Sequence, residues 1–364
     1  MTITKVTDAG LDKSRIVTPL IINGDMSVAQ RGTSFSSQSG SAYHLDRFKT
    51  LANNLGTFTI SQSTTVPTGQ GFAKSFKLDC TTADASPAAG DTLQFVQYIE
   101  GQNLQSLKKG TSSAEAVTVS FWVRSNKTGT YTLELYDNDN SRQISKTYTI
   151  SSADTWEKKT VNFAGDTSGA LDNDNALSFA VQWWLGAGSN STSGTLSETW
   201  TSVTTANRVS SSQVNIADNT ANEWYITGIQ MEIGTFDTNT IPTFPFEDAE
   251  NNLRRCRRYY EMTVNKDVNK VIATGGCYQS DVVSLNYQWY PKRAAPSIDQ
   301  GSGTNYFGFN RGGGAITFNS IKIYSATATN GLLYSDDGVS ASTYENGWIY
   351  IANSSAYMAL DSEL

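Results

Sequence analysis

Short segments in which apolar and polar residues alternate recur through residues 43–233 of this chain of 364 residues. The clearest is AVTVSFWVRS, where every second residue from Val117 to Val123 is apolar and the residues between are mostly polar. Further segments of this kind are TYTLELYD, LSFAVQWW and EWYITGIQMEIG. Side chains of a strand point alternately to opposite faces of its sheet, so the pattern predicts antiparallel strands with one buried face.

Spacers rich in turn-forming residues separate these segments, for example DNDNSRQ at 137–143 and GAGSNSTSGTLSETW at 186–200. No long helical pattern lies between them, which argues against alternating α/β layers. Only 17% of the residues are charged, and the abundant Ser, Thr, Asn and Gly suit turns and strand surfaces. The sequence therefore predicts an all-β chain built on a sandwich or jelly roll.

One segment changes period. In PFEDAENNLRRCRRYYE, residues 245–261, Ala249, Leu253, Cys256 and Tyr260 recur at helical spacing, with acidic residues first and arginines after them. We predict one short α-helix here. Its arginines are expected to form either a solvated face or a contact with a neighbouring subunit or domain. They are Arg254, Arg255, Arg257 and Arg258.

After the helix, residues 265–364 return to β-like segments, including VVSLNYQWYP, AITFNSIKIYSAT and GWIYIANSSAYMALDSEL. The glycine-rich segment QGSGTNYFGFNRGGGA between them is interpreted as loops and a hairpin. A stretch of roughly a hundred residues is within the usual size range of a domain. We therefore predict a second, smaller β-domain after the helix.

The composition argues against several partners. A net charge of −7 provides no general attraction to nucleic-acid phosphates, so we expect no nucleic-acid partner. No run of about 18 apolar residues occurs and the first residues lack the apolar core of a secretory signal, so we expect no membrane insertion and folding in a cytoplasm. Cys80, Cys256 and Cys277 are far apart and odd in number, which predicts free, buried thiols, no metal site and no cofactor.

Six sequence blocks follow one another along nearly the whole chain. They are NGDMSVAQRGTSF at 23–35, YHLDRF at 43–48, YITGIQMEIGT at 225–235, FEDAENNLRRCRRYYE at 246–261, RAAPSI at 293–298 and the terminal ALDSEL. In this order they resemble a family of bacteriophage virion proteins described as tail-fibre or receptor-binding proteins. The resemblance implies a jelly roll similar to carbohydrate-binding modules, a homotrimer, attachment to other virion proteins of the tail or head, and contact with a host surface glycan or receptor.

Together, the pattern and the resemblance predict an N-terminal anchoring arm at 1–18, a jelly-roll domain at 19–242, a helical connector at 243–264 and a C-terminal β-domain at 265–364. The stretch LIINGD would open the jelly roll. Residues 20–22 would form its first strand, Asn23 and Gly24 a tight turn with positive φ, and Asp25 a local backbone cap.

No catalytic set stands out in the sequence. His44 is the only histidine and lies within the YHLDRF block, so a structural hydrogen-bonding role is favoured over catalysis. The acids of the two DNDN segments are interpreted as turn residues, although they could otherwise hold calcium loosely or hydrolyse a glycan as a pair. They are Asp137, Asp139, Asp172 and Asp174. We therefore expect a protein that is not an enzyme.

Two tryptophans are candidates for ligand contact. Trp183 and Trp184 are adjacent on a predicted strand and point to opposite faces, which should leave Trp184 outside the core. Trp200 lies in a Ser/Thr-rich segment with few apolar neighbours. Contact with a glycan and burial between subunits both stay open for these two residues.

Three functions are compatible with these observations. The favoured one is a non-enzymatic bacteriophage virion protein, a tail fibre or receptor-binding protein that attaches to the host surface. The second is a decoration of capsid or tail without a receptor. The third is a carbohydrate-active enzyme or its binding module, which would be recognised by acids and aromatic rings gathered in one cleft.

Overall fold

The computed structural model describes residues 19–364, so the predicted anchoring arm at 1–18 lies outside the described residues. The chain divides into two compact units, which meet in sequence between Ala249 and Glu250. The strands of the first unit are β1 (Ser34–Gln38), β2 (Ala42–Tyr43), β3 (Phe48–Asn53), β4 (Thr57–Ser63), β5 (Ser75–Thr82), β6 (Thr92–Glu100), β7 (Val117–Ser125), β8 (Gly129–Asp137), β9 (Arg142–Ile150), β10 (Glu157–Phe163), β11 (Leu177–Ala187), β12 (Thr201–Ser202) and β13 (Glu223–Ile233). Its helical turns are α1 (Ser189–Thr192) and the 3₁₀ helices Gly101–Asn103, Gln105–Leu107, Thr205–Asn207 and Ile216–Asp218.

Two antiparallel sheets build the first unit. Sheet I contains six strands in the order β1-β4-β5-β13-β7-β10, and sheet II contains seven in the order β12-β9-β8-β11-β6-β3-β2. The apolar positions of β7 from Val117 to Val123 are all in the buried core, as the alternation predicted. The prediction of an all-β chain with a jelly-roll sandwich is confirmed.

Aromatic rings from both sheets meet in the core of this sandwich. Phe95 of β6 stacks on Phe48 with 4.8 Å between ring centroids, and it also contacts Phe76, Trp183 and Trp224 at 4.5, 5.7 and 5.5 Å. Such pairs add about 0.5–1.5 kcal/mol each to the free energy gained from burying the rings. Trp183 therefore has its predicted place inside the core.

The LIINGD stretch differs from its prediction in one respect. Residues 20–22 are buried but form bends, not a strand, because the side chain of Gln97 replaces a strand partner: its amide group bonds both the N–H and the C=O of Ile22, each at 2.8 Å. The turn is present, with φ of 59° at Asn23 and a hydrogen bond from Met26 N–H to Asn23 C=O. Asp25 caps it by accepting from the Ser27 N–H and hydroxyl.

The helix α2 (Ala249–Arg257) lies at the start of the second unit. The strands that follow are β14 (Tyr260–Asn265), β15 (Val271–Gln279), β16 (Val282–Gln288), β17 (Ser297–Gln300), β18 (Phe307–Arg311), β19 (Gly314–Phe318), β20 (Lys322–Ala326), β21 (Asn330–Ser335), β22 (Asn346–Ile351) and β23 (Tyr357–Asp361). Sheet III has the order β14-β23-β17, and sheet IV has the order β19-β18-β22-β15-β16-β21-β20. The glycine-rich segment forms the β18–β19 hairpin.

The predicted helix is correct in position but too long at its end. Tyr260, which had been placed on the helix, begins strand β14 and pairs with Asp361 of β23. Its hydroxyl donates to Asp299 at 2.9 Å. Tyr260 lies four residues after Cys256, an interval that fits a helix. The match is a coincidence, because the helix ends at Arg257 and the next strand begins at Tyr260.

The three cysteines are free thiols and buried, in agreement with their prediction. In residues 19–364, no helix combines the length and the apolar composition needed to cross a bilayer.

Candidate functional site

Strand β22 shows how sheet IV acquires an outward face with exposed aromatic rings. Ile349 and Ile351 point inward and are fully buried in the core of the second unit, so Trp348 and Tyr350 point outward. Tyr350 lies against Gly308 of β18, which has no side chain to obstruct the ring. Trp348 remains 45% exposed. The same alternation directs Ser284 and Asn286 of β16 outward, because Val283 and Leu285 are core residues.

An open groove of about 920 Å³ runs over this face. Aromatic rings border it: Trp348, Tyr278 and Tyr344 are 45%, 55% and 85% exposed. The remaining lining residues are Thr274, Gly275, Gly276, Cys277, Ser284, Leu285, Asn286, Leu332, Asn346 and Gly347. Its volume is within the range of about 300–1,000 Å³ that is usual for ligand sites.

Short polar side chains and glycines form part of the floor of the groove. Gly276 pairs with Asn346 on one side and with Ser284 on the other, in the register of the sheet. A Cβ atom at Gly276 would lie 2.6 Å from Asn346 Oδ1, so only glycine leaves this amide in its position. Ser284 and Asn286, with Thr274, complete the floor with hydroxyl and amide groups. These groups both donate and accept hydrogen bonds, as a ligand with many hydroxyls requires.

Tyr344 has a backbone conformation that bulky residues rarely adopt. Its φ is 66°, in the left-handed region. The backbone around it is held by hydrogen bonds from the Tyr344 N–H to Cys277 C=O at 2.6 Å and from the Cys277 N–H to Glu345 C=O at 2.8 Å. Left-handed geometry costs a non-glycine residue about 1–2 kcal/mol. The chain therefore tolerates strain where it projects a nearly fully exposed ring over the groove.

A second cavity of about 380 Å³ adjoins the first. Both cavities include Asn286 and Leu332, which are register partners on β16 and β21. The other residues of the second cavity are Tyr287, Gln288, Ser325, Ala326, Thr327, Asn330 and Gly331. The two cavities thus lie side by side, and together we call them the sheet IV groove.

The sheet IV groove is electrically neutral along its described lining, which contains no Asp, Glu, Lys, Arg or His. At its rim, Arg311 and Glu345 form an ion pair, with Arg311 Nε 2.7 Å from Glu345 Oε2. Burial, and to a smaller extent Glu345, raises the pKa of the Cys277 thiol. A thiol with a raised pKa stays protonated and is a poor nucleophile, so the groove offers no reactive cysteine.

Trp184 lies on the predicted side of its strand but is covered. The ring is outside the apolar core, as the alternation required, but it is only 1% exposed. Its Nε1–H donates to Glu134 Oε2 at 2.9 Å, and the guanidinium of Arg208 lies over the ring at 5.1 Å. The chain around Arg208 covers this side of sheet II, so the ring has no open face within this chain.

Trp200 is half-buried and packs against the core of the first unit. Its Nε1–H donates to the Ala164 C=O at 2.7 Å, the ammonium of Lys109 lies 5.1 Å from the ring centre, and Phe179 is 6.1 Å away. These contacts indicate a structural role for the indole of Trp200. Trp184 and Trp200 belong to the first unit and are not part of the sheet IV groove.

Of the four predicted contact arginines, Arg254 is exposed and bonds Asn251 on its own helix at 2.9 Å, whereas Arg255, Arg257 and Arg258 are half-buried. The carbonyl of Arg257 accepts from the Lys292 ammonium at 2.5 Å. A subunit contact through these arginines stays a prediction.

His44 and the DNDN acids have structural partners. His44 contacts Gln38 at 3.1 Å and Thr50 at 3.3 Å, and burial, with help from Arg31, lowers its pKa to about 4. Asp137 forms a buried ion pair with Lys109 and caps the Asn140 N–H. The carboxylate of Asp137 thus already has the ammonium of Lys109 as its cationic partner.

Two of the remaining DNDN acids accept hydrogen bonds from backbone amides. Asp139 accepts from the Asp172 N–H and Asp174 from the Ala176 N–H, each at 2.9 Å. Asp172 itself contributes its carbonyl, which accepts from the Gln105 side chain. In residues 19–364, no group of three or more His, Cys, Asp or Glu side chains is arranged to hold a metal ion.

Sequence reasoning missed Trp348, Tyr278, Tyr344 and the two asparagines of the groove. The alternation in GWIYI was a usable signal, because it directs Trp348 outward once Ile349 and Ile351 are assigned to the core. Nothing in the sequence marks Tyr344, whose exposure depends on the left-handed turn.

No family model matches the chain, and a comparison with curated proteins finds no match. Solved structures that match include a tailspike protein of bacteriophage CBA120, at 13% identity and a TM-score of 0.31, over 59% of this chain and 21% of that one. A putative sugar-binding protein from Bacteroides thetaiotaomicron matches at 13% identity and a TM-score of 0.32, over 59% of this chain and 100% of that one.

A family 11 carbohydrate-binding module from Clostridium thermocellum, in complex with a mixed-linked tetrasaccharide, matches at 9% identity and a TM-score of 0.25, over 56% of this chain and 98% of that one. The chain thus spans about a fifth of the tailspike it matches. At these TM-scores the likenesses carry no argument about function, which rests on the geometry above.

Proposed function

We propose that this chain is a non-enzymatic carbohydrate-binding protein and that the sheet IV groove is its binding site. One observation carries the proposal: exposed aromatic rings border an open groove whose lining also includes uncharged hydrogen-bonding side chains. A sugar ring has apolar C–H faces that pack on aromatic rings and hydroxyls that need donors and acceptors. The groove offers both kinds of group side by side.

Binding without hydrolysis fits the same groove better than catalysis does. Glycoside hydrolysis generally requires two carboxyl groups about 5–10 Å apart on either side of the scissile bond. The described lining of the groove includes no carboxylate, and its one thiol, Cys277, is buried with a raised pKa. These features support a role in attachment.

The proposal extends to a place in a bacteriophage virion. The six sequence blocks, from NGDMSVAQRGTSF to ALDSEL, support a tail-fibre or receptor-binding protein that folds in the host cytoplasm, forms a homotrimer and joins other virion proteins through its N-terminal arm. In that setting, the saccharide is part of the host surface. A decoration protein of capsid or tail would share these blocks but would not need the groove.

Binding of the full chain to host surface polysaccharide, measured by isothermal titration calorimetry, tests the proposal. Trp348→Ala should weaken binding at least about tenfold, because the ligand loses an aromatic packing surface worth about 1.4 kcal/mol. The matched control is Tyr324→Ala. Tyr324 is a 73% exposed aromatic residue on the same sheet but lines neither cavity.

The proposal requires that Trp348→Ala binds the saccharide more weakly than Tyr324→Ala does. Equal affinity of wild type and Trp348→Ala, with normal thermal unfolding of both, would rule out the groove as the site. Virions with Trp348→Ala should also adsorb to host cells more weakly than virions with Tyr324→Ala. Unchanged adsorption of both would leave the decoration role.

A further inference from the structure

The two cavities of the sheet IV groove lie side by side across the strands. Asn286 and Leu332 face each other in register and contribute to both cavities. Lining residues occur on β22, β15, β16, β21 and β20, which are five successive strands of the sheet. Four inter-strand spacings of about 4.8 Å give a track roughly 19 Å long. Such a track is longer than one sugar ring.

The two ends of the track offer different chemistry. Aromatic rings are concentrated at the β22 end, where Trp348 and Tyr344 lie. The second cavity, over β16, β21 and β20, adds amides and hydroxyls, among them those of Gln288, Asn330 and Thr327. A ligand that used both ends would stack one unit on the rings and hydrogen-bond further units beyond Leu332.

The charge distribution restricts the ligand further. The described lining has no cationic side chain that would bind a carboxylate or sulfate, and no anionic one that would bind an amine. At the margins, two ion pairs form, Arg311 with Glu345 and Lys322 with Asp336. A charged ligand group in the groove would lose water without gaining a counter-charge, which is unfavourable.

We infer that the sheet IV groove binds an uncharged oligosaccharide of several units, which lies across the strands from Trp348 on β22 to Ser325 on β20. This inference rests on the proposed carbohydrate-binding function and specifies its ligand class. Two consequences follow. Affinity should increase with chain length until both cavities are filled, and it should depend little on salt, because no ion pair forms with the ligand.

Calorimetry with the full chain and paired oligosaccharides tests the inference. The neutral probes are galacto-, manno- and gluco-oligosaccharides of two to six units, and the acidic probes are the oligogalacturonides, oligomannuronates and oligoglucuronates of the same lengths. We expect a neutral series to bind, with the longest member at least about tenfold tighter than the shortest. Its affinity should change less than about twofold between about 50 and about 500 mM NaCl.

A pair of glutamine variants tests whether the ligand reaches the second cavity. Gln288→Ala should weaken binding of the longest neutral probe about threefold to tenfold and leave the shortest unaffected. Gln279→Ala is the control, because Gln279 is exposed on β15 of the same sheet but lines neither cavity. Equal effects of both variants, or equal affinity for short and long probes, would overturn the extended binding mode.

The outcomes distinguish this inference from the function on which it rests. Tighter binding of the acidic probes, abolished by Trp348→Ala, would keep the groove as a saccharide site and overturn the neutral ligand class. Binding of probes that Trp348→Ala does not affect would overturn the groove itself. A complete lack of binding to neutral and acidic probes and to host polysaccharide would overturn both proposals.

Discussion

Glu134 accepts a hydrogen bond from the indole N–H of Trp184 at 2.9 Å, on the face of sheet II that points away from the core. The carboxylate is fully buried, and Arg208 forms two more hydrogen bonds with it, each at 2.9 Å. Arg208 also lies over the rings of Trp184 and Tyr136, at 5.1 and 5.0 Å. Glu134 thus holds both Trp184 and Arg208 in place on this side of the sheet.

Glu134→Gln should therefore destabilise the first unit by about 3 kcal/mol, because it leaves the largely buried guanidinium of Arg208 without its counter-charge. Urea unfolding monitored by tryptophan fluorescence measures the change. A double variant, Glu134→Leu with Arg208→Met, removes both charges and should lose less stability than the single variant. If the double variant is as unstable as the single one or more so, packing at this site outweighs the charge balance.

The same residues show which part of the fold a sequence determines. Alternation correctly predicted that Trp183 and Trp184 lie on opposite faces, because side-chain direction in a strand is local geometry. It could not predict that Trp184 is covered, since the covering residue, Arg208, is more than twenty residues further along and is held by Glu134. Whether an outward face of a strand is buried depends on which later segments of the chain pack over it.

The candidate site was missed for the converse reason. The segment GWIYI indicates an outward Trp348 as clearly as LSFAVQWW indicates an outward Trp184. Only the structure shows that Trp348 stays exposed while Trp184 does not. Residues 20–22 follow the same rule: their apolar character predicted burial correctly, but the side chain of Gln97 prevented the strand.

Tyr344 should show opposite effects on stability and binding. Tyr344→Gly removes the left-handed strain, which stabilises the folded state by about 1–2 kcal/mol. The greater freedom of glycine in the unfolded chain offsets about 0.5–1 kcal/mol of this gain. Thermal unfolding should therefore show equal or slightly higher stability. Affinity for the saccharide should fall, because the exposed ring is lost from the groove.

Two controls accompany the Tyr344 variant. Tyr344→Asn should behave like the glycine variant, since asparagine tolerates left-handed geometry and also lacks the ring. Tyr324→Gly lies within β20, where glycine costs stability, and should leave binding unchanged. A clear loss of stability in Tyr344→Gly would show that the tyrosine ring supports the fold.

His44 should make the first unit sensitive to mild acid. Burial, with help from Arg31, lowers its folded-state pKa from 6.5 to about 4. Above about pH 6.5 both states are neutral and the full stability is present; between about pH 6.5 and about pH 4 the unfolded state binds a proton that the folded state does not. Stability should therefore fall as pH decreases through this window, by up to about 3 kcal/mol.

The measurement is the free energy of unfolding in urea at pH values from about 7.5 to about 4, for wild type and His44→Asn. Asparagine retains hydrogen-bonding groups next to Gln38 and Thr50 but does not titrate. The variant should be less stable than wild type at neutral pH, and the difference should shrink as pH falls, because only wild type loses the histidine contribution. Parallel curves for the two proteins would show that carboxylates, not His44, cause the acid sensitivity.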